Sequence, residues 1–262
     1  MTTSELRRAL ACAVRAARAA GKLMRVNLRA TKRVNLSTKH DIKLELDVRC
    51  QRLIQKQLGR AFPEIGFLGE EGHSTTDEAP LRWVVDPIDG TVNFAYGIPH
   101  ACVSIALQER RPGAARHKSI LGVVYDPFQN ELWTASRDQS ARLNGSGIHV
   151  SKRRKLSETI VTTGFAKSRA SLDRGLPYFL RIVRRVRKVR MTGSAALALT
   201  YVATGRFDAY IERGVSLWDI AAGGYILERA GGRFWNEPTG KGRVYRLLAT
   251  NGLIHHKLPL PR

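Results

Sequence analysis

The sequence predicts a mixed fold, with α+β character in its first half and α/β character in its second. Short apolar runs of strand-like composition alternate with segments of helical period along the 262 residues. In the first half these runs follow one another closely, and Asn144-Gly145 between two of them is a hairpin signal. In the second half helical segments separate the strands. The hydrophobic content of 43% is ordinary for a globular chain, and the length allows a sizeable core.

The first element is predicted to be a helix over residues 4–29. Its apolar positions recur at roughly helical spacing; they are Leu6, Leu10, Val14, Ala17 and Met24. The segment is also rich in Arg and Ala, like a transit peptide, but no small-residue cleavage site follows an apolar core. We therefore interpret it as a structural helix.

A polar–apolar alternating segment at 41–47 comes next, followed by a helix from Val48 through Leu58. In the rest of the first half, strands are predicted at 65–68, 83–86, 101–108, 119–125 and 131–136. In the second half, strands are predicted at 160–163, 207–212 and 244–249, and helices at 172–188, 194–204 and 218–230. With no internal repeat or low-complexity linker, the chain is expected to form one domain over 1–262. We expect a soft division near 145, into halves 1–145 and 146–262 that share one active site.

Charge is the unusual feature of the composition. Lys and Arg number 44 against 22 Asp and Glu, a formal net charge of +22, with basic runs at 181–190 and 152–155. One interpretation is a surface for RNA, DNA or the ribosome; the other is a solvated helix face and turn. No aromatic residues are interleaved for base stacking, so only non-specific nucleic-acid contact is expected. No apolar stretch reaches 18 residues, and three cysteines fit buried thiols in a reducing cytoplasm.

The most informative segment is 86–91, Asp-Pro-Ile-Asp-Gly-Thr, which follows the apolar run Trp83-Val84-Val85. Pro87 is expected to end the strand, so that Asp86 and Asp89 can converge on one point. Two carboxylates repel one another unless a cation lies between them, and the Gly-Thr pair can leave N–H groups facing an anion. The pattern suggests Mg²⁺ beside a phosphate; the alternative is an Asx-type turn at a strand end.

Two further acidic segments extend this pattern. Glu70 lies upstream in Gly-Glu-Glu-Gly at 69–72, and Asp219 lies downstream in Trp-Asp-Ile-Ala-Ala-Gly at 218–223. Residues 83–94 fit W-V/I-x-D-P-[IL]-D-G-T-x-N-F throughout, and residues 218–223 fit W-D-x-A-A/G-G. In this order the motifs resemble those of the inositol monophosphatase family of Mg²⁺-dependent, lithium-sensitive sugar phosphatases. The resemblance runs from the first helix to about Asn251.

The resemblance implies a layered αβαβα sandwich of the inositol monophosphatase and fructose-1,6-bisphosphatase type. It implies two Mg²⁺ ions per subunit, with a loosely held third near residues 41–47. The implied metal ligands are Glu70, Asp86, Asp89, Asp219 and the backbone carbonyl of Ile88. Metal ions so placed would clamp the attacking and leaving oxygens and offset charge on the phosphate.

The resemblance also assigns the nucleophile to water, oriented and deprotonated by Thr91 and Asp47 with help from Glu70. This chain has Leu44 where the family often has Thr, and the other interpretation of Asp47 is an N-cap for the helix beginning near Val48. Asp41 and Lys39 are weaker candidates in the same segment.

Substrate contacts are implied for two groups of residues. The N–H groups of Gly90 and Thr91, at a helix start, would hold the phosphate oxygens, and Asp89 and Asp219 would also contact the substrate. The sugar ring would meet Gly193, Ser194 and Ala195, with Glu212 accepting from ring hydroxyls. Ser194 is equally suited to be a helix N-cap, and Glu212 to be a surface charge at a strand end.

The sequence therefore predicts a Mg²⁺-dependent phosphomonoesterase acting on a small polyol or sugar phosphate, with inositol 1-phosphate the leading substrate. Fructose 1,6-bisphosphate, histidinol phosphate and NADP are alternatives with the same chemistry. An alternative of another class is a basic RNA- or ribosome-associated binding factor. A cytoplasmic homodimer is expected from the resemblance.

Overall fold

The computed structural model describes residues 1–31, 34–37, 42–72, 74–75, 79–165, 169–240 and 242–260. The helices are α1 Thr3–Asn27, α2 Glu45–Ala61, α3 Thr91–Ala95, α4 Arg169–Val183, α5 Ala195–Ala203 and α6 Leu217–Arg229. The first strands are β1 Val34–Ser37, β2 Ile42–Leu44, β3 Gly66–Gly69, β4 Ser74–Thr75 and β5 Leu81–Asp89. They continue with β6 Cys102–Glu109, β7 Lys118–Asp126, β8 Glu131–Ser136, β9 Gln139–Leu143 and β10 Ser146–Gly147. The last are β11 Ile160–Thr163, β12 Lys188–Arg190, β13 Ala209–Ser216, β14 Arg233–Pro238 and β15 Val244–Thr250.

The described strands form two large sheets and a small hairpin of β1 and β2. The first large sheet has eight strands in the order β10-β9-β8-β7-β6-β5-β3-β4, and the second has five in the order β12-β11-β13-β15-β14. The first is mostly antiparallel, with β3 and β5 parallel, whereas β11 pairs in parallel with both β12 and β13. An antiparallel-rich first half and a mixed second half agree with the sequence prediction.

Three hydrophobic cores, formed by the residues that the structure describes, lie between the layers. Helices α1 and α2 cover one face of the eight-stranded sheet, α5 and α6 lie between the two sheets, and α4 packs on the outer face of the five-stranded sheet. Strand β6 shows how the pleat divides its side chains: Val103 and Ile105 enter the first core, while Cys102 and Ala106 enter the second. The layers confirm the αβαβα sandwich.

Helix α1 is a structural helix, as predicted. Leu6, Ala17 and Met24 are buried in the first core, and Thr2 and Glu5 form a capping box at its start. The three cysteines are free and buried. Across the described residues, no helix combines the length and the apolar character needed to cross a bilayer.

The helix predicted at 172–188 is wrong at its C-terminal end. Helix α4 ends at Val183, and residues 188–190 form the edge strand β12, with Val189 opposite Val161 of β11. Residues 187–190 read Arg-Lys-Val-Arg, and Val189 packs against the third core, so these residues favour an edge strand over a helix. Strand β14 was not predicted, because its side chains are only partly buried and include two charged residues and a proline.

Gly122 of β7 lies where α6 crosses the sheet closely. A Cβ at this position would lie 2.7 Å from the Ala222 carbonyl oxygen and 3.2 Å from Ile226 Cγ1. Because both neighbours belong to a packed helix, we expect Gly122→Ala to lower the free energy of unfolding by about 1–3 kcal/mol. Gly147→Ala is the matched control, since nothing lies within 4 Å of its Cβ position. Equal denaturation midpoints for the two variants would contradict this account.

Candidate active site

The two aspartates of segment 86–91 reach the same face of the sheet through a β-bulge. In a regular strand, residues three apart point to opposite faces. Here Asp86 lies opposite Ser104 and Asp89 lies opposite Cys102. An advance of three residues along β5 therefore matches an advance of only two residues along β6, which is a β-bulge. The expectation that Pro87 ends the strand is therefore wrong: β5 continues to Asp89. Proline is tolerated at the bulge because the ladder is already interrupted there.

A third aspartate joins them from the second half of the chain. Asp219 is in the first turn of α6, where its carboxylate accepts a hydrogen bond from the Ser216 N–H at 2.8 Å. One carboxylate oxygen from each of Asp86, Asp89 and Asp219 lies within 4.8 Å of the others. The fourth predicted acid, Glu70, follows β3 directly, and its N–H donates to the Val85 carbonyl at 3.2 Å.

The electrostatics of this cluster are those of crowded, buried carboxylates. Burial raises the pKa of Asp86 well above its ordinary value, and the nearby charges of Glu70, Asp89 and Asp219 raise it further. Burial and the Asp89 and Glu70 charges likewise raise the pKa of Asp219. Ionising such a set is costly without a cation. Its ligand atoms are hard oxygens, which Mg²⁺ prefers, so the residues present fit that ion.

Asp89 is held by the start of α5. Ser194 Oγ donates to its carboxylate, and the N–H groups of Ala196 and Ala195 donate at 2.7 and 3.2 Å. These bonds lower the pKa of Asp89, but burial outweighs them and the pKa is raised. Ser194 is also the N-cap of α5, accepting from the Leu197 N–H at 3.3 Å. Ser194, Ala195 and Ala196 therefore contact a site carboxylate and join the two halves, while Gly193 lines the adjoining cavity.

A tight turn links Asp89 to the short helix α3. Gly90 has φ +94°, and a Cβ there would lie 2.9 Å from the His100 carbonyl oxygen, so glycine is required. Thr91 begins α3, and its Oγ donates to the Ile88 carbonyl at 2.8 Å. The Ile88 side chain is buried in the first core, so its backbone is the part that faces the site.

The alternative interpretation of Asp47, an N-cap for a helix beginning near Val48, is wrong. Helix α2 begins at Glu45 rather than Val48, so Asp47 is not the N-cap. It is the third helical residue, only 2% exposed, and its carboxylate accepts from the Leu44 N–H at 2.7 Å. Its charge contributes to the raised pKa of Asp86, so it lies near the cluster. Asp41 and Lys39 lie outside the described residues.

A cavity of about 660 Å³ opens over the cluster. Its lining includes all but one of the site residues predicted from sequence: Glu70, Asp86, Ile88, Asp89, Gly90, Thr91, Gly193, Ser194, Ala195, Glu212 and Asp219. Asp47 is the exception. The volume is in the usual range of about 300–1,000 Å³ for small-molecule sites.

Sequence reasoning missed the other wall of this cavity. It is formed by the last two residues of β11 and the two that follow, together with a segment before α5 and one residue of β13: Thr162, Thr163, Gly164, Phe165, Met191, Thr192 and Tyr210. The Tyr210 hydroxyl donates to Glu212 at 2.7 Å, and a Cβ on Gly164 would lie 2.1 Å from a Glu212 carboxylate oxygen. The signal was present in the spacing of Tyr210 and Glu212, two residues apart on one strand and therefore on one face.

Comparison with known proteins agrees with this geometry. The family model described as "Inositol monophosphatase family" matches residues 5–258. The chain is 38% identical over 256 residues to an inositol monophosphatase of Mesembryanthemum crystallinum, covering 94% of this chain and 92% of that protein. It is 41% identical over 223 residues to a protein of Xylella fastidiosa named Nus factor SuhB, covering 84% and 78%.

Solved structures show the same relationship. The inositol monophosphatase of Anabaena (Nostoc) sp. PCC 7120 superposes with a TM-score of 0.82 at 33% sequence identity, over 98% of each chain. A family match over nearly the whole sequence, relatives above 30% identity and the same architecture all agree. The chain belongs to the inositol monophosphatase family.

Proposed function

We propose that this protein is a Mg²⁺-dependent phosphomonoesterase whose leading substrate is inositol 1-phosphate. One observation carries the proposal: the buried Asp86 and Asp89 from the first half and the half-buried Asp219 from the second converge in one cavity of a phosphatase-family chain. A carboxylate cluster without an ion would be held at considerable electrostatic cost, and a phosphate monoester brings further negative charge.

The proposed ion ligands are Glu70, Asp86, Asp89, Asp219 and the Ile88 carbonyl. Bound Mg²⁺, two or three ions per subunit, would supply positive charge to the phosphoryl oxygens and acidify a water molecule. The fold itself positions these ligands. The β-bulge brings Asp86 and Asp89 to one face of the sheet, and three hydrogen-bond donors at the start of α5 hold the Asp89 carboxylate. Thr91 Oγ fixes the direction of the Ile88 carbonyl.

The reaction we propose is direct attack of water on phosphorus, in line with the ester oxygen. The N–H groups of Gly90 and Thr91 hold phosphoryl oxygens, while Thr91 Oγ, Asp47 and Glu70 orient the water and accept its proton. The new P–O bond forms as the ester P–O bond breaks, and no phosphoenzyme is needed. The leaving oxygen takes up a proton from solvent water, which regains one from the group that deprotonated the nucleophile, so the products are the alcohol and inorganic phosphate.

The wall formed by β11 and β13 would recognise the alcohol. Glu212, oriented by the Tyr210 hydroxyl, is placed to accept hydrogen bonds from ring hydroxyls, and the start of α5 lines the same space. We expect Glu212→Gln to raise KM for inositol 1-phosphate about tenfold or more, because charge-assisted hydrogen bonds are worth about 1.5–3 kcal/mol.

The control for this prediction is a substrate without ring hydroxyls, 4-nitrophenyl phosphate, whose KM should change little. Glu237→Gln is the matched control variant, since Glu237 lies on β14 paired with Arg246 and does not line the cavity. A tenfold rise in KM for both substrates would show that Glu212 maintains the structure of the active site rather than binding the sugar ring.

A turnover panel tests the choice of substrate. Phosphate release is measured from inositol 1-phosphate, fructose 1,6-bisphosphate, histidinol phosphate and NADP, each with and without Mg²⁺. We expect inositol 1-phosphate to have the highest kcat/KM. A preference for another compound would keep the chemistry and replace the substrate.

We also propose an assembly and a cellular compartment for this protein. A cytoplasmic homodimer is expected from the family resemblance, and sedimentation of the purified protein tests the dimer. The soft division near residue 145 also stays a prediction. Because α5 and α6 pack between both sheets, expressing each half alone would show whether either folds independently.

A further inference from the structure

A dense array of positive charge covers the outer face of the α1–α2 layer, away from the basic runs that stand out in the sequence. The side chains that form it are all exposed. They are Arg7, Arg8, Arg15, Arg18, Lys22, Arg25 and Arg29 on or just after α1, and Arg49, Arg52, Lys56 and Arg60 on α2. We call these eleven residues the basic face.

The helical period arranges eight of the eleven in two rows. Arg8, Arg15, Lys22 and Arg29 recur every seven residues, which is nearly two turns, so they line up along one side of α1 and the turn that follows it. The row extends about 31 Å at 1.5 Å per residue. On α2 the four basic residues follow at intervals of three, four and four, which also places them on one side.

The two rows lie side by side. Cys12 Sγ is 3.7 Å from the Gln57 carbonyl, and Cys50 Sγ is 3.9 Å from the Ala20 carbonyl. The start of α1 therefore lies beside the end of α2, and the helices are antiparallel. Packed helices are separated by about 8–10 Å between axes, so the two rows are neighbours on one surface.

Little negative charge offsets the basic face. The acids within the two helices are Glu5, Glu45 and the buried Asp47. Among the residues that the structure describes, none of the eleven forms an ion pair with a carboxylate. Arg8 and Arg18 lie over the rings of Phe62 and Tyr125, each 5.7 Å from the ring centroid. All eleven side chains are nevertheless exposed and can be neutralised by an anionic partner.

The amino-acid composition of the basic face indicates which class of polyanion it binds. Nine of the eleven residues are arginine, whose planar guanidinium matches phosphate oxygens. No Phe, Tyr or Trp lies on either helix, so the face lacks the stacking platforms that single strands require. The apolar sides of both helices are buried in the first core, so they cannot insert into a lipid surface. Two parallel cation rows fit the backbone of a duplex, whose turn is about 34 Å long.

We propose that the basic face binds the phosphate backbone of double-stranded nucleic acid without reading its sequence. The proposal is independent of the phosphatase chemistry. None of the eleven side chains lines the active-site cavity, so binding to the face leaves the catalytic residues free.

The test uses the full chain and labelled 24-base-pair DNA and RNA duplexes of unrelated sequences. One variant combines Arg15→Gln, Lys22→Gln, Arg25→Gln and Lys56→Gln, since Gln keeps helix propensity. The matched control removes the same charge elsewhere, with Arg184→Gln, Arg185→Gln, Arg187→Gln and Lys188→Gln. Kd is measured between 50 and 200 mM salt, together with phosphatase activity and the thermal midpoint.

We expect the α1–α2 variant to bind either duplex at least tenfold more weakly. Its slope of log K against log salt should be shallower by about 3–4, at about 0.9 per lost phosphate contact. Its activity and thermal midpoint should match those of the parent, and the control should bind within about threefold of it. Equal losses in both variants would show that net charge alone is responsible and would overturn the proposal.

Two further arms test the identity of the partner. Single-stranded oligonucleotides of the same length should bind more weakly than duplexes, and binding that is equal or tighter would contradict the duplex assignment. Vesicles with anionic headgroups are the lipid probe. Retention on vesicles without duplex binding would overturn the proposal in favour of a membrane surface.

Discussion

Asp86→Asn should abolish phosphatase activity while leaving the fold intact. The Asp86 carboxylate is one of the three that converge, and several kcal/mol of transition-state stabilisation depend on the ions that the cluster would hold. We expect kcat/KM for inositol 1-phosphate to fall at least about 10³-fold, which corresponds to about 4 kcal/mol. Asn keeps the size of the side chain and can still accept from the Ile88 N–H, which Asp86 binds at 3.0 Å.

The stability of the same variant should change in the opposite direction. Burial and the neighbouring carboxylates raise the pKa of Asp86 in the folded protein above its unfolded value near 4. As pH rises past that unfolded value, the unfolded chain releases its proton first, so the metal-free protein loses stability until the folded pKa is passed. Asp86→Asn removes this penalty. Without Mg²⁺ it should be more stable than the parent at neutral pH, with a shallower decline above pH 5.

Added Mg²⁺ separates this account from a structural role for Asp86. The thermal midpoint of the parent should rise with Mg²⁺ concentration, because an ion that binds only the folded state stabilises it. The Asp86→Asn variant should show a much smaller rise. If Mg²⁺ stabilises both proteins equally, Asp86 is not a ligand, whatever happens to the activity.

Thr91→Ala should cause the second large loss of activity. Thr91 Oγ fixes the Ile88 carbonyl at 2.8 Å and is proposed to orient the attacking water. Misplacing both groups should lower kcat by about 10²–10³-fold, the usual range for a lost proton-transfer or orienting group. Because the residue is only partly buried, the free energy of unfolding should fall by no more than about 1 kcal/mol.

Thr91→Ser is the matched control for that prediction. Ser keeps the hydroxyl and loses only a methyl group, so most of the activity should return. If Ser and Ala are equally impaired, the methyl group rather than the hydroxyl matters, and the proposed role of Thr91 in orienting water is wrong.

Local signals in the sequence predicted the alternation of elements and the convergence of Asp86 and Asp89, whereas the layered architecture and the place of Asp219 in the cluster came from the family resemblance. Asp86, Asp89 and Asp219 lie at the ends and starts of elements that are strongly apolar, and such elements have well-marked boundaries. The way in which the elements pair with one another was harder to predict. The bulge depends on how β5 pairs with β6, and that register cannot be deduced from one strand alone.

The two strands of the five-stranded sheet that were not predicted have a common physical cause. Strands β12 and β14 are the two edges of the five-stranded sheet, where side chains are charged or half-buried and alternation is weak. Asp47 was misplaced for a related reason. Helix α2 has Leu44 at its N-cap, which is not a usual capping residue, so the sequence gives no sign that the helix begins before Val48.

The most direct test of the central claim is phosphate release from inositol 1-phosphate during a Mg²⁺ titration, with the parent and Asp219→Asn in parallel. Asp219 comes from a different half of the chain than Asp86 and Asp89, so its loss tests whether the two halves build one ion site. We predict saturable, Mg²⁺-dependent turnover by the parent and none above background by the variant at any Mg²⁺ concentration. Turnover that does not depend on the Mg²⁺ concentration, or that Asp219→Asn leaves unchanged, would contradict the account.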